Sequence, residues 1–132
     1  MRRPRVLVID DEKPVLLTVA TILVDAGYEV ETAENGREGL ALFNRSLPHL
    51  VLIDIIMPER DGIGAIIEMR RARADVRIVA MSGGGRLGNA DFLKVATKLG
   101  ADAALPKPFD DTELLAVIDA VLKPPERESR RA

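Results

Sequence analysis

The sequence predicts an α/β protein in which a parallel sheet of five strands carries helices on both faces. Three observations lead there. Short apolar runs, at residues 6–9, 50–53 and 76–81, have the length and end signals of buried strands. They lack the apolar–polar alternation of a strand with one wet face, so both faces are covered. Between them lie stretches whose apolar residues recur every three or four positions. Strand and helix patterns alternate five times, which argues βα units with right-handed crossovers.

The elements follow in order. Residues 5–9 form the first strand, ended by Asp10, Asp11 and Glu12. Pro14 suits the first turn of a helix, with Val15, Val19, Ile22, Leu23 and Ala26 at helical spacing and Gly27 as its end. Residues 28–32 read as the second strand. Asn35 caps a helix running to about Arg45, with Leu40 and Phe43 facing inward. Residues 50–53 are the third strand, which delivers Asp54 to its end before Pro58 and Gly62 break the pattern. Ile63, Ile66 and Ile67 make the stripe of a third helix, and residues 76–81 a fourth strand. A glycine-rich connection over 82–89 reads as flexible. Phe92, Val95, Ala96 and Leu99 then give a fourth helix closed by Gly100. Residues 103–105 are a short fifth strand. Asp110 or Asp111 caps a last helix with Leu114, Ile118, Val121 and Leu122 inside, and Pro124 and Pro125 end it.

A chain of 132 residues suits one domain, placed at 1–123, with a short polar tail over 124–132 expected to be disordered. The composition, 47% hydrophobic and 30% charged, is that of an ordinary globular protein, and a net charge of −2 argues against nucleic-acid binding by bulk electrostatics. Without cysteine, disulfides and thiolate metal sites are excluded. No apolar run approaches the roughly 20 residues of a membrane span, and the first residues lack the apolar stretch of a signal peptide. A cytoplasmic location is the expectation.

In a parallel sheet the strand ends carrying Asp10, Asp54, Ser82 and Lys107 lie along one edge, where open α/β sheets bind ligands. Asp10, Asp11 and Asp54 would meet there, and like charges about 4 Å apart repel by roughly 4 kcal/mol at an effective dielectric of 20. Such a cluster calls for a cation, a proton or a lysine, and an all-oxygen donor set suits Mg²⁺. Lys107 adds positive charge, Ser82 a hydroxyl, and the following loop, from Gly83, backbone N–H groups. Together these are what a phosphoryl group needs on its oxygens, with Asp54 as the nucleophile. His49, the one histidine, lies at the other end of its strand and is assigned no chemistry.

Two other functions are weaker. Residues 83–88 match G-x-G-x-x-G, but a dinucleotide fold wants that motif after its first strand, not its fourth. A Mg²⁺-dependent phosphatase with an aspartate nucleophile resembles Asp-x-Asp, and here position 56 is isoleucine, which offers no general acid–base help.

Asp10-Asp11, Asp54 with Met57-Pro58 and Asp61-Gly62, Ser82 after the fourth strand, and Lys107-Pro108-Phe109 resemble the receiver domain of two-component response regulators, in order and spacing, over about residues 5–122. The resemblance implies a flavodoxin-like (βα)5 fold. It implies a phosphoryl group taken onto Asp54 from a histidine kinase or phosphotransfer protein. It implies Mg²⁺ held by Asp11, Asp54 and the backbone carbonyl of Ile56, with Asp10 assisting, Ser82 and Lys107 on the phosphate, and a cis Lys107–Pro108 bond. With few residues left beyond it, the chain resembles a stand-alone receiver that catalyses only its own phosphorylation and dephosphorylation and signals by binding a downstream protein. Two departures stand out: Ala104 replaces the aromatic residue usual three positions before the lysine, and the connection after the fourth strand is rich in glycine.

Overall fold

The computed structural model describes residues 3–55, 57, 61–82 and 89–123, with no side-chain description for Asp61 and residues 89–93. Ile56, Gly83 and the tail from residue 124 lie outside the described residues, so the expectations placed on them do too. Among the described residues ten elements alternate as expected: β1 (Arg5–Ile9), α1 (Lys13–Asp25), β2 (Glu29–Ala33), α2 (Gly36–Ser46), β3 (Leu50–Asp54), α3 (Asp61–Ala72), β4 (Arg77–Ser82), α4 (Asn89–Leu99), β5 (Ala103–Pro106) and α5 (Asp111–Leu122). All strand pairs are parallel, in the order β2-β1-β3-β4-β5.

Each inner strand divides its residues between two cores, because successive side chains point to opposite faces. Leu7, Ile9, Val51, Ile53, Ile78 and Ala80 pack with Phe43, Ile66, Met69 and Ala96 from α2, α3 and α4. Val6, Val8, Leu50, Leu52, Val79 and Met81 pack with Leu16, Val19, Leu23, Leu114 and Ile118 from α1 and α5. This double burial is why those runs read as continuously apolar.

Two local expectations shift. The second strand starts at Glu29, because Tyr28 is used to close α1. Its N–H donates to the Leu23 carbonyl (3.0 Å) and that of Gly27 to Val24 (3.0 Å), with Gly27 at φ +101°, the paired closure that favours glycine. On α3 the buried face is Gly62, Ala65, Ile66 and Met69, spaced i, i+3, i+4, i+7, while Ile67 is 41% exposed. Of the expected stripe, Ile66 is fully buried and Ile63 packs partly buried against the same core, while Ile67 falls outside; Gly62 and Ala65, which carry little hydrophobic signal, complete the buried face.

Helix ends follow their sequence signals. The Asn35 side chain accepts from the Glu38 N–H at 2.9 Å. Asp110 and Glu113 form a reciprocal capping box at the start of α5. Among the described residues, no helix is long and apolar enough to cross a membrane.

Candidate functional site at the carboxyl edge of the sheet

The chain leaves β1 toward β2 on one side and returns to place β3 on the other, so the helices after β1 and β3 lie on opposite faces. That reversal opens a crevice at the carboxyl ends of β1 and β3. Asp54 is the last residue of β3, and Asp10 follows β1 directly. The backbone fixes every contributor. The Asp10 N–H donates to the Ala33 carbonyl (3.1 Å), that of Ile55 to Met81 (3.0 Å) and that of Lys107 to Ser82 (2.7 Å). The Lys107–Pro108 bond is cis, as the resemblance implied.

Three of the expected polar residues are deeply buried: Asp10, Asp54 and Ser82. Lys107 Nζ lies 2.6 Å from Asp10 Oδ2 and 3.1 Å from Asp54 Oδ2, and it also reaches Glu12 Oε1 at 3.3 Å. Burial alone would lower the ammonium's pKa. The hydrogen bond to Asp10 and the charges of Asp54 and Asp10 outweigh that and hold it above the ordinary lysine value. Asp10 is used twice, since its Oδ1 also accepts the Glu12 N–H at 2.9 Å. The Ser82 hydroxyl, though buried, has no hydrogen-bond partner among the described residues. A buried hydroxyl left this way costs free energy on the order of 1–3 kcal/mol, which a ligand oxygen would recover.

The carboxylates fit a hard divalent cation. Among the described residues, Asp10, Glu12 and Asp54 bring ligand oxygens within 4.8 Å of one another. Asp11 is exposed and stands outside that group. Glu12, which sequence reasoning left as a strand terminator, is the residue it missed. The signal was present: three acids in a row, the third at a helix start where Ser, Thr, Asp or Asn is the usual cap. His49 lies at the opposite edge, where its Nδ1 accepts the Arg5 N–H at 2.9 Å.

A buried acid pair with a lysine between its members, and a buried, unsatisfied hydroxyl at the end of the neighbouring strand, stand at the switch point of a five-stranded parallel sheet. Residues 6–119 match the response regulator receiver domain family, and the chain belongs to that family. It is 38% identical over 122 residues to a probable transcriptional regulator ycf27 of Porphyra purpurea, covering 92% of this chain and 49% of that one. It is also 38% identical over 120 residues to a CpxR homolog, a transcriptional regulatory protein of Haemophilus influenzae, covering 90% and 50%. The chain thus spans about half the length of these curated relatives. The chemotaxis protein CheY4 of Vibrio cholerae superposes with a TM-score of 0.82 at 29% identity, covering 92% of this chain and all of that one. A CheY-like receiver domain protein of Methanospirillum hungatei does so with 0.83 at 28% identity, covering 99% and 100%.

Proposed function

We propose that this receiver takes a phosphoryl group onto Asp54 from the phosphohistidine of a histidine kinase or phosphotransfer protein. The observation that carries the proposal is Lys107 Nζ clamped between Asp10 and Asp54, with the buried, unsatisfied Ser82 hydroxyl at the end of the strand next to that of Asp54. An Asp54 carboxylate oxygen would attack phosphorus as the donor's N–P bond breaks, with the electron pair leaving on the imidazole. Lys107 would turn from the carboxylates to a phosphoryl oxygen, and Ser82 would donate its hydroxyl hydrogen to another. Asp10, Asp54 and, by family likeness, Asp11 with the Ile56 carbonyl would hold Mg²⁺, and Gly83 would offer its N–H. Bound there, the ion offsets negative charge on the transferring group. Output is proposed to run through contact with a downstream protein, with no direct nucleic-acid contact by this domain. The relatives described as transcriptional regulators, of which the chain spans half, favour a second reading: the same receiver serving a longer regulator of transcription.

The test is intact mass after incubation with acetyl phosphate and Mg²⁺. One phosphoryl mass should appear, and it should vanish in Asp54→Asn and in EDTA. Continued turnover of a small phosphoester would instead point to a phosphatase, and a label that survives Asp54→Asn would move the acceptor elsewhere.

A further inference from the structure

Glu12 occupies the N-cap position of α1, yet its side chain makes no capping hydrogen bond. A cap of that kind is worth about 1 kcal/mol, so the helix start forgoes a common stabiliser. The backbone of Glu12 is nevertheless pinned. Its N–H donates to Asp10 Oδ1 (2.9 Å), and its carbonyl accepts from Leu16 (3.1 Å). The side chain instead reaches across the mouth of the crevice to Lys107, 95 positions away in sequence. A local rule broken without local gain is characteristic of a residue used for function.

The valence of Lys107 shows what that use is. An ammonium has three N–H donors. Three carboxylates stand around it, at 2.6 Å (Asp10), 3.1 Å (Asp54) and 3.3 Å (Glu12). Any incoming oxygen must displace one of them. The Asp10 and Asp54 side chains are 0% and 4% exposed, and that of Glu12 is 61% exposed. Glu12 therefore makes the longest of the three contacts, and its carboxylate is the one that water can take over.

We propose that Glu12 is a positioning residue: it is the third, releasable anchor of Lys107 in the unphosphorylated protein, and it competes with the incoming phosphoryl group for that ammonium. The inference rests on the phosphoacceptor role of Asp54. It differs from a metal-ligand role, in which Glu12 would strengthen Mg²⁺ binding, and from a general acidic rim, in which charge alone would matter.

Two variants separate these possibilities. Glu12→Gln removes the charge. Glu12→Asp keeps it, shortens the reach by one methylene, and offers α1 a good cap in place of the Lys107 contact. The probe is beryllofluoride with Mg²⁺, titrated by ¹⁵N–¹H NMR of the full chain, with Mg²⁺ alone measured by isothermal titration calorimetry. Both variants should bind beryllofluoride more tightly than the parent, by about two- to fivefold, the range for one exposed ion pair. Neither should bind Mg²⁺ more weakly. Parental beryllofluoride affinity in both variants overturns the proposal. Tightening in Glu12→Gln alone overturns it in favour of rim charge, and weakened Mg²⁺ binding in both does so in favour of a metal ligand. A parent that takes up no beryllofluoride overturns the inference and the phosphoacceptor reading together, whereas an unresponsive pair of variants in a responsive parent overturns the inference alone.

Discussion

Lys107 shows how much one side chain can depend on its surroundings. Its ammonium offsets three carboxylates, two of them buried, and each would face the others uncompensated without it. Removing one partner of a buried charged group typically costs about 3–5 kcal/mol. Lys107→Met is therefore expected to lose about 3 kcal/mol in urea unfolding without Mg²⁺, and to recover part of that in Mg²⁺. A loss below about 0.5 kcal/mol, the range of an ordinary surface substitution, would show that the carboxylates do not depend on the lysine. The pH dependence has a definite sign. The folded state holds the Lys107 proton more tightly than the unfolded state does, so this contribution is complete below the ordinary lysine pKa of about 10.4 and is lost as pH rises beyond it. Tyr28 acts in the same direction, because burial and then the charge of Asp119 raise its pKa. The measurement is thus a comparison: between pH 9.5 and 11 the parent should lose stability more steeply than Lys107→Met, and parallel curves would refute the linkage.

Elements set where these side chains stand, and α3 packs tightly against the end of β3 at Gly62. A Cβ placed on Gly62 would collide with the Asp54 carbonyl oxygen and come within 2.9 Å of Ile55 Cα. Both obstacles are backbone, so the strand end that carries Asp54 would have to move. Gly64, two residues further along the same helix, has open space at its Cβ position. The pair makes a controlled test. Gly62→Ala should cost about 1–3 kcal/mol and slow phosphorylation by acetyl phosphate. Gly64→Ala should gain about 0.5–1 kcal/mol by helix propensity and leave the labelling rate alone. Equal effects at the two positions would mean that α3 does not brace Asp54. The sequence showed Gly62 only as a breaker after Pro58; that it is the point of contact with β3 became visible only when the helix was packed.

Across the whole molecule, the edge opposite the site is held by Arg70. Its guanidinium donates twice to the Gly100 carbonyl (3.1 and 2.9 Å), to the carbonyls of Ala74 and Val76 (2.8 Å each) and to Asp102 Oδ2 (2.8 Å). Asp102 in turn accepts the Ile78 N–H at 2.8 Å. One side chain thus joins the turn after α3 and the turn after α4 to the starts of β4 and β5. Arg70→Met should cost about 2–3 kcal/mol, and Arg70→Lys should recover little, because a point charge cannot reproduce the planar fork. Full recovery by lysine would mean that charge, and not geometry, joins these segments.

The sequence by itself determined the class of fold, the five βα units, most of the helix ends and the edge at which Asp10, Asp54, Ser82 and Lys107 meet. All of these follow from local rules: apolar runs for doubly buried strands, helical spacing, capping residues, and the parallel direction that places every strand end on one side. Tertiary structure decided what depends on distance between segments remote in the chain. Glu12 proved to be a partner of Lys107 because the turn after β5 lies across the start of α1, which no pattern within either segment records. Ile67 was left outside because α3 turns the face of Gly62, Ala65, Ile66 and Met69 to the sheet, and position 67 lies around the helix from it. Arg70, one of the two arginines of α3, became the tie at the far edge because four carbonyl or carboxylate groups from other turns converge on it. Periodicity records which side of an element is apolar; which polar atoms then meet depends on the packing of the whole.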